Sequence, residues 1–176
     1  PDPKKPDTRG NAAVVLQTNR GDIPVILDKA QTPCTVASFL YLTRTKFYDH
    51  TICHRLTAYH TAPYALSVLQ CGDPLGTGWG DPGYWFRDEL ASAKALPNWP
   101  GFPDGSRKVY PRGTLAMANA GPDTNGSQFF LVYADSRLRP DYTVFGHISE
   151  AGMTVLDTIA AAGVDPADPG APEDGM

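Results

Sequence analysis

The sequence has little with which to hold a metal or a cofactor. Three cysteines (Cys34, Cys53, Cys71) occur in 176 residues, too few for a disulfide framework, and none sits in a C-x-x-C pair. One disulfide with one free thiol, or three buried apolar thiols, both fit that count. Of four histidines, His50 and His54 stand four apart, but in a run that reads as strand, so no helical ligand pair forms and no metal is expected. No apolar run approaches the ~20 residues that span a bilayer, and no charged-then-apolar leader is present. A net charge of −4 leaves no basic footprint for a phosphate backbone, so nucleic acid is not an expected partner. There is no G-x-S-x-G elbow. Gly76-Thr-Gly-Trp-Gly80 lacks dinucleotide-loop spacing, and Gly121 to Ser127 lacks the phosphate-loop lysine. Asn125-Gly-Ser127 matches a glycosylation acceptor, a pattern common by chance.

What is present is an ordinary globular composition, 41% hydrophobic and 19% charged, in a length that suits one domain. Residues 1–12 are polar and proline-rich and read as a disordered leader, and residues 164–176 read as a Pro/Asp/Gly-rich tail. Between them, "AVVLQTNRGDIPVILD" predicts a hairpin turning at Asn19-Arg20-Gly21-Asp22. A helix follows, with Thr32 as N-cap, Pro33 at its first position, and Val36, Phe39 and Leu40 at helical spacing. "TICHRL" (51–56), "SVLQCGD", "TLAMA" (114–118), "QFFLVY" (128–133) and "YTVFGHI" read as further strands. A second helix is expected near 150–162, stopping at Gly163. Residues 72–83 form a glycine-rich loop and 91–109 a second long irregular connection. Many short strands and two distant helices predict a mainly β barrel or sandwich with helical caps.

Within that scaffold Arg55 is the odd residue, a cation in an Ile/Cys/Leu strand. By itself it reads as a salt-bridged or snorkelling edge residue. Its company changes the reading. Gln70 and Val68 share a strand face, and "ANAGPDTNGSQFF" brings a strand, a turn and two phenylalanines. One cation, neutral amides and apolar side chains, with no convincing acid, base or nucleophile, suit an extended peptide and the gripping of an apolar group.

The motifs "FYDHTICHRL", "LQCGDPLGTGWGDPGYWF", "RGTLAMANAGPDTNGSQFFLVY" and "YTVFGHI", in this order, resemble the cyclophilins, over roughly residues 13–163. The cysteine spelling looks most like a bacterial, actinobacterial-type branch. The resemblance implies a peptidyl-prolyl cis-trans isomerase needing no cofactor, built as a closed eight-stranded antiparallel barrel capped by two α-helices. It implies Arg55 as catalytic residue, preceded by His54. Gln70 would contact substrate backbone, Ala118, Asn119 and Ala120 would pair with the peptide, and Gln128, Phe130 and Leu138 would line the proline pocket. Several positions depart from the family. Its Phe-Met before the glutamine is Ser67-Val68 here, after an insert at about 57–65 from which Tyr59, Tyr64 or Leu66 could refill the pocket. Arg137 replaces a tryptophan, so cyclosporin binding is expected to be weakened, and Tyr142 replaces a histidine. The barrel-closing last strand is expected to be missing, which would expose a sheet edge. The expected partners are Pro-containing peptides and folding proteins, with a monomeric chain and no direct membrane contact. Location stays open between an extracytoplasmic one, tethered by a segment outside this sequence, and the cytoplasm. The alternative function is a cyclophilin-like module that binds Pro-peptides with little turnover.

Overall fold

The computed structural model describes residues 6–58 and 65–163. The hairpin forms as expected. Strands β1 (Asn11–Thr18) and β2 (Gly21–Asp28) pair from Asn11↔Asp28 to Thr18↔Gly21 around the two-residue turn Asn19-Arg20. Period-2 patterning decides which face each buries: Ile23, Val25 and Leu27 are fully buried, while Val15 on β1 is exposed. Helix α1 (Pro33–Arg44) follows, burying Val36, Phe39 and Leu42. Thr32 sits at its N-cap but does not cap it with its side chain; the hydroxyl donates instead to the Asp28 carbonyl at 2.8 Å. The helix start is served from afar. The Glu89 carboxylate accepts the backbone N–H groups of Cys34 (3.1 Å) and Thr35 (2.8 Å) and the Thr35 hydroxyl (2.7 Å), placing an anion where the helix dipole favours one.

The "TICHRL" strand is shorter than its sequence suggests. Only Arg55–Leu56 (β3) pairs regularly, with Ile52 adding an isolated bridge to Asp73; His50 and His54 lie outside strands. Then come β4 (Ser67–Cys71), the short helix α2 (Ala91–Ala95), β5 (Lys108–Tyr110) and β6 (Thr114–Met117). They are followed by β7 (Phe129–Ala134), β8 (Ser136–Leu138), β9 (Val144–Ile148) and helix α3 (Glu150–Ala162). Residues 91–109 are therefore not one irregular connection: α2 interrupts them, and their end enters β5, which pairs with β8. Helix α3 starts where expected, with the Ser149 hydroxyl accepting the Gly152 N–H at 3.1 Å, and ends at Gly163. Gly152 is needed for close approach, because a Cβ there would lie 2.8 Å from Ile148 and 3.1 Å from Ile23.

The fold is mainly β and antiparallel. Seven strands form one sheet in the order β1-β2-β9-β6-β7-β4-β3, and β5 with β8 forms a second. The expected absence of a closing strand falls on residues 164–176, outside the described residues, as do Tyr59 and Tyr64 of the insert. Strand alternation divides the sheet's side chains between two clusters. Leu69, Cys71, Leu115, Met117, Phe129 and Leu131 join Phe39, Phe145 and Leu156 in the main core. The intervening residues, Val68, Ala116, Phe130 and Val132, point the other way and pack with Tyr110, Ala93, Leu138 and Tyr142. This second face carries the candidate site. A disulfide joins Cys53 to Cys71, and Cys34 is a free thiol, so one of the two readings of the cysteines holds.

Candidate active site

Strand register assembles the site. Arg55 on β3 pairs with Gln70 on β4, Gln70 with Phe130 on β7, and Phe130 with Ala116 on β6. Directly opposed residues of antiparallel strands present their side chains to the same face. Four strands thus lay a cation, an amide, an aromatic ring and a small residue in one row.

Hydrogen bonds then fix the orientation of the polar part. Gln128 donates its amide NH₂ to the carbonyls of Gly78 and Gly80, both at 2.9 Å. A carbonyl can only accept, so the Gln128 oxygen must face the other way, where it accepts from Gln70 Nε2 at 2.9 Å. That in turn points Gln70 Oε1 at Arg55, whose Nη1 donates to it at 3.2 Å. Two loop carbonyls therefore determine, through two amides, where the guanidinium is held.

The glycine-rich loop supplying those carbonyls is organised by Asp73, a fully buried carboxylate. It accepts the backbone N–H groups of Leu75 (2.7 Å), Thr77 (2.8 Å) and Gly78. Burial pushes its pKa up, but these donors together more than offset that and hold the carboxyl below its ordinary value. Gly80 must be glycine, since a Cβ there would collide with the Asp73 carboxylate. His54 lies beside this loop. Its ring nitrogens are buried without hydrogen-bond partners among the described residues. Burial lowers its pKa, with the Asp73 charge opposing and Arg55 reinforcing, so the ring is neutral at pH 7.

The apolar part is a wall continuous with the second cluster. Phe130 is 5% and Val68 3% exposed, and the Tyr142 ring meets Phe130 edge-on at 5.7 Å. Behind them Tyr110 is fully buried, and its hydroxyl donates to the carbonyls of Arg139 (3.0 Å) and Tyr142 (3.3 Å), which fixes the segment carrying Leu138 and Tyr142. Along one side runs Ala118-Asn119-Ala120. The Ala118 N–H is held by the Gln128 carbonyl and the Ala120 N–H by the Thr124 hydroxyl. Asn119 spends its side chain internally, donating to the Asp141 carbonyl at 2.8 Å and accepting the Gly121 N–H at 3.2 Å. Its own backbone N–H and C=O have no partner among the described residues, and the residue is partly exposed.

All eleven residues singled out by the sequence thus lie on this face or at its border: Arg55, His54, Gln70, Gln128, Val68, Phe130, Leu138, Tyr142 and the 118–120 segment. Sequence reasoning missed Asp73, Glu89 and Tyr110, which touch the site only through other residues. Asp73 could have been suspected, as a carboxylate opening a glycine-rich run; Glu89 gave no local signal. Arg137, in place of the tryptophan, lies over the Phe102 ring at 5.4 Å, with Arg107 at 6.0 Å from the same ring. Asn125 is no acceptor for a glycan: it is fully buried, with its amide donating to Asp88 at 2.7 Å.

The arrangement is thus an arginine oriented on a sheet face beside a buried aromatic wall and the 118–120 segment. The chain belongs to the cyclophilin family: the family model described as cyclophilin type peptidyl-prolyl cis-trans isomerase/CLD matches residues 13–174. It is 51% identical over 161 residues to a probable peptidyl-prolyl cis-trans isomerase B of Mycobacterium tuberculosis, covering 92% of this chain and 50% of that protein. The chain therefore spans about half the length of that curated relative. A peptidyl-prolyl cis-trans isomerase B of Streptomyces anulatus is 38% identical over 168 residues, covering 86% of this chain and 85% of the other. These relatives are those of an actinobacterial-like branch. A crystal structure of a Cryptosporidium parvum cyclophilin type isomerase in the presence of the dipeptide Ala-Pro matches with a TM-score of 0.66 and 31% identity. That match covers 89% of this chain and 90% of the other.

Proposed function

We propose that residues 13–163 form a peptidyl-prolyl cis-trans isomerase that accelerates rotation about X–Pro bonds and so assists protein folding. The observation that carries this reading is the row Arg55–Gln70–Phe130, a fixed cation one strand removed from an apolar floor. The X–Pro bond resists rotation by ~18–20 kcal/mol because of amide resonance, and uncatalysed exchange takes tens of seconds or longer. At the twisted state the resonance is lost and the prolyl nitrogen regains a lone pair. No covalent bond breaks, so the enzyme needs only interactions stronger in the twist than in either planar form. Arg55 supplies one: a donor that stays charged at any working pH, aimed at the lone pair. Phe130, Val68, Leu138 and Tyr142 hold the ring still while the amide turns. The backbone of Asn119, between Ala118 and Ala120, pairs with the extended substrate, and Gln70 and Gln128 steady both the arginine and the flanking peptide.

Magnitudes show that the arginine does not act alone. Raising ~10⁻² per second to ~10³ takes about 7 kcal/mol. A charge-assisted hydrogen bond contributes about 1.5–3 kcal/mol net. Positioning on the strand and removal of water by the apolar wall must supply the remainder. Arg137, engaged with Phe102, presents a cation where the family has an indole, so cyclosporin inhibits weakly; a nanomolar inhibition constant would contradict that. The test of the main reading is the cis-to-trans rate of a short Ala-Pro peptide with wild type and Arg55→Ala side by side. Acceleration that falls by a hundredfold or more in the variant supports the isomerase; no acceleration by intact protein leaves a Pro-peptide binder.

A further inference from the structure

The structure points to a role for the Cys53–Cys71 disulfide that the isomerase reading does not include. We infer that it is a positioning device for Arg55, and that thiol reductants reversibly lower the catalytic rate by opening it. The inference rests on the proposed isomerase activity.

The two cysteines bracket the site in sequence: Cys53 stands two residues before Arg55, and Cys71 directly follows Gln70. They also lie behind it. Cys71 belongs to the main core, on the opposite face of β4 from Gln70, so the bridge ties the arginine's strand down from the side away from substrate. That strand needs tying. β3 is two residues long and, among the described residues, stands at the end of the sheet order with β4 as its neighbour. Among the described residues its contacts besides the disulfide include the pairs Arg55↔Gln70 and Leu56↔Leu69, the Thr57 N–H to the Val68 carbonyl at 2.9 Å, the Val68 N–H to the Thr57 hydroxyl at 3.1 Å, the Tyr133 hydroxyl to the Thr57 carbonyl, the Arg55 guanidinium to Gln70 Oε1, and the Ile52↔Asp73 bridge. Its C-terminal side is anchored by buried Thr57, but the segment before Arg55, from Ile52 to His54, is irregular, and such a segment at a sheet end opens more readily than strands inside the sheet. Displacing a catalytic group by about 1 Å lowers a rate by up to ~10²-fold.

The bridge has one end at the surface and one in the core. Cys53 is an exposed residue, whereas Cys71 is 5% exposed. A dithiol such as dithiothreitol, as thiolate, attacks the Cys53 sulfur. The S–S bond breaks with its electron pair leaving on Cys71 Sγ, which takes up a proton. The reductant's second thiol then closes its own ring disulfide and releases Cys53 as a thiol. Two electrons and two protons pass from the dithiol to the protein. Cys34 does not compete: burial and then the neighbouring Glu89 charge push its thiol pKa up, away from the reactive thiolate.

Opening a loop also lowers global stability, so the test must separate positioning from folding. Isomerisation of an Ala-Pro peptide and its affinity are measured well below the unfolding temperature, with air-oxidised, dithiothreitol-reduced and reoxidised protein. Alkylation of acid-quenched, denatured samples and mass spectrometry count one free thiol before reduction and three after, and circular dichroism reports the fold. The expected result is a loss of about tenfold or more in kcat on reduction, peptide affinity within about twofold, and recovery on reoxidation. In Arg55→Ala, followed by exchange NMR at stoichiometric enzyme, reduction should change the residual rate by less than about twofold, because the group being positioned is gone. The Cys53→Ala/Cys71→Ala variant should match the reduced wild type; if it does not fold, the reduced wild type alone decides. An unchanged rate with three thiols labelled would overturn the inference and leave the isomerase standing, as would an equal loss in Arg55→Ala or a parallel loss of affinity. No catalysis by the oxidised protein would overturn both.

Discussion

The two faces of β4, β6 and β7 are built from alternate residues of the same strands, and they do different work. The inward set, including Leu69, Leu115, Met117 and Leu131, closes on Phe39, Phe145 and Leu156 and leaves almost nothing exposed. The outward set begins the same way, with Ala116, Val132 and Phe130 against Tyr110, but one strand further on it becomes Gln70 and then Arg55. The first face is a core; the second is a core that runs into a polar edge. Stability and the proposed catalysis are thereby placed one residue apart along a strand, and substitutions at neighbouring positions should separate them.

Phe130→Ala should have the largest effect, because it breaks both. Removing a buried aromatic costs about 3–5 kcal/mol of stability, and the variant should also lose peptide affinity, checked by denaturant unfolding and peptide titration. Leu131→Ala, its neighbour on the inward face, sharpens the contrast. It should cost about 2–5 kcal/mol in unfolding, while kcat/KM per folded molecule stays within about twofold of wild type. Glu89→Gln removes the charge that holds the start of α1. It should lower stability by about 1 kcal/mol in thermal melts, with catalysis unchanged.

Acid should separate the faces as well. His54 is held neutral by burial, with a folded pKa below its ordinary 6.5, so the unfolded chain binds more protons once the pH falls below that value. Its contribution to stability is complete above about pH 6.5 and is lost as the pH falls toward the folded pKa. Melting temperature should therefore drop on acidification, and less so in His54→Gln. Catalysis should be flat from about pH 6.5 to 9, because an arginine does not deprotonate there. The smallest effect is expected at the Arg112–Asp157 pair, two bonds of 2.6 and 2.7 Å between half-exposed side chains. Asp157→Asn should cost under about 1 kcal/mol, and 1 M salt should erase most of the difference.

The same division explains what could be read from the chain. The hairpin, both long helices and the strands with two-faced alternation were legible, because a local period dictates them. The β5–β8 pairing was not: two three-residue strands brought together across residues 111–135 carry no period long enough to see. Arg55 stood out only as an anomaly and acquired a role through resemblance, since its partners Gln70, Gln128 and Phe130 come from distant segments and share no spacing. Glu89 was invisible for the same reason, acting on a helix some fifty residues earlier. Composition left the disulfide undecided because pairing depends on the register of β3 with β4, which the loop between them hides.

The most direct test of the account is to follow one proline peptide by NMR with wild type and with Arg55→Ala, reading its cis–trans exchange rate and its affinity from the same spectra. The account predicts that the variant loses a hundredfold or more in exchange, about 2.7 kcal/mol of barrier lowering, while affinity stays within about threefold, since the apolar wall is untouched. Equal losses in exchange and affinity would contradict it, making Arg55 a binding residue and leaving the twist without its donor.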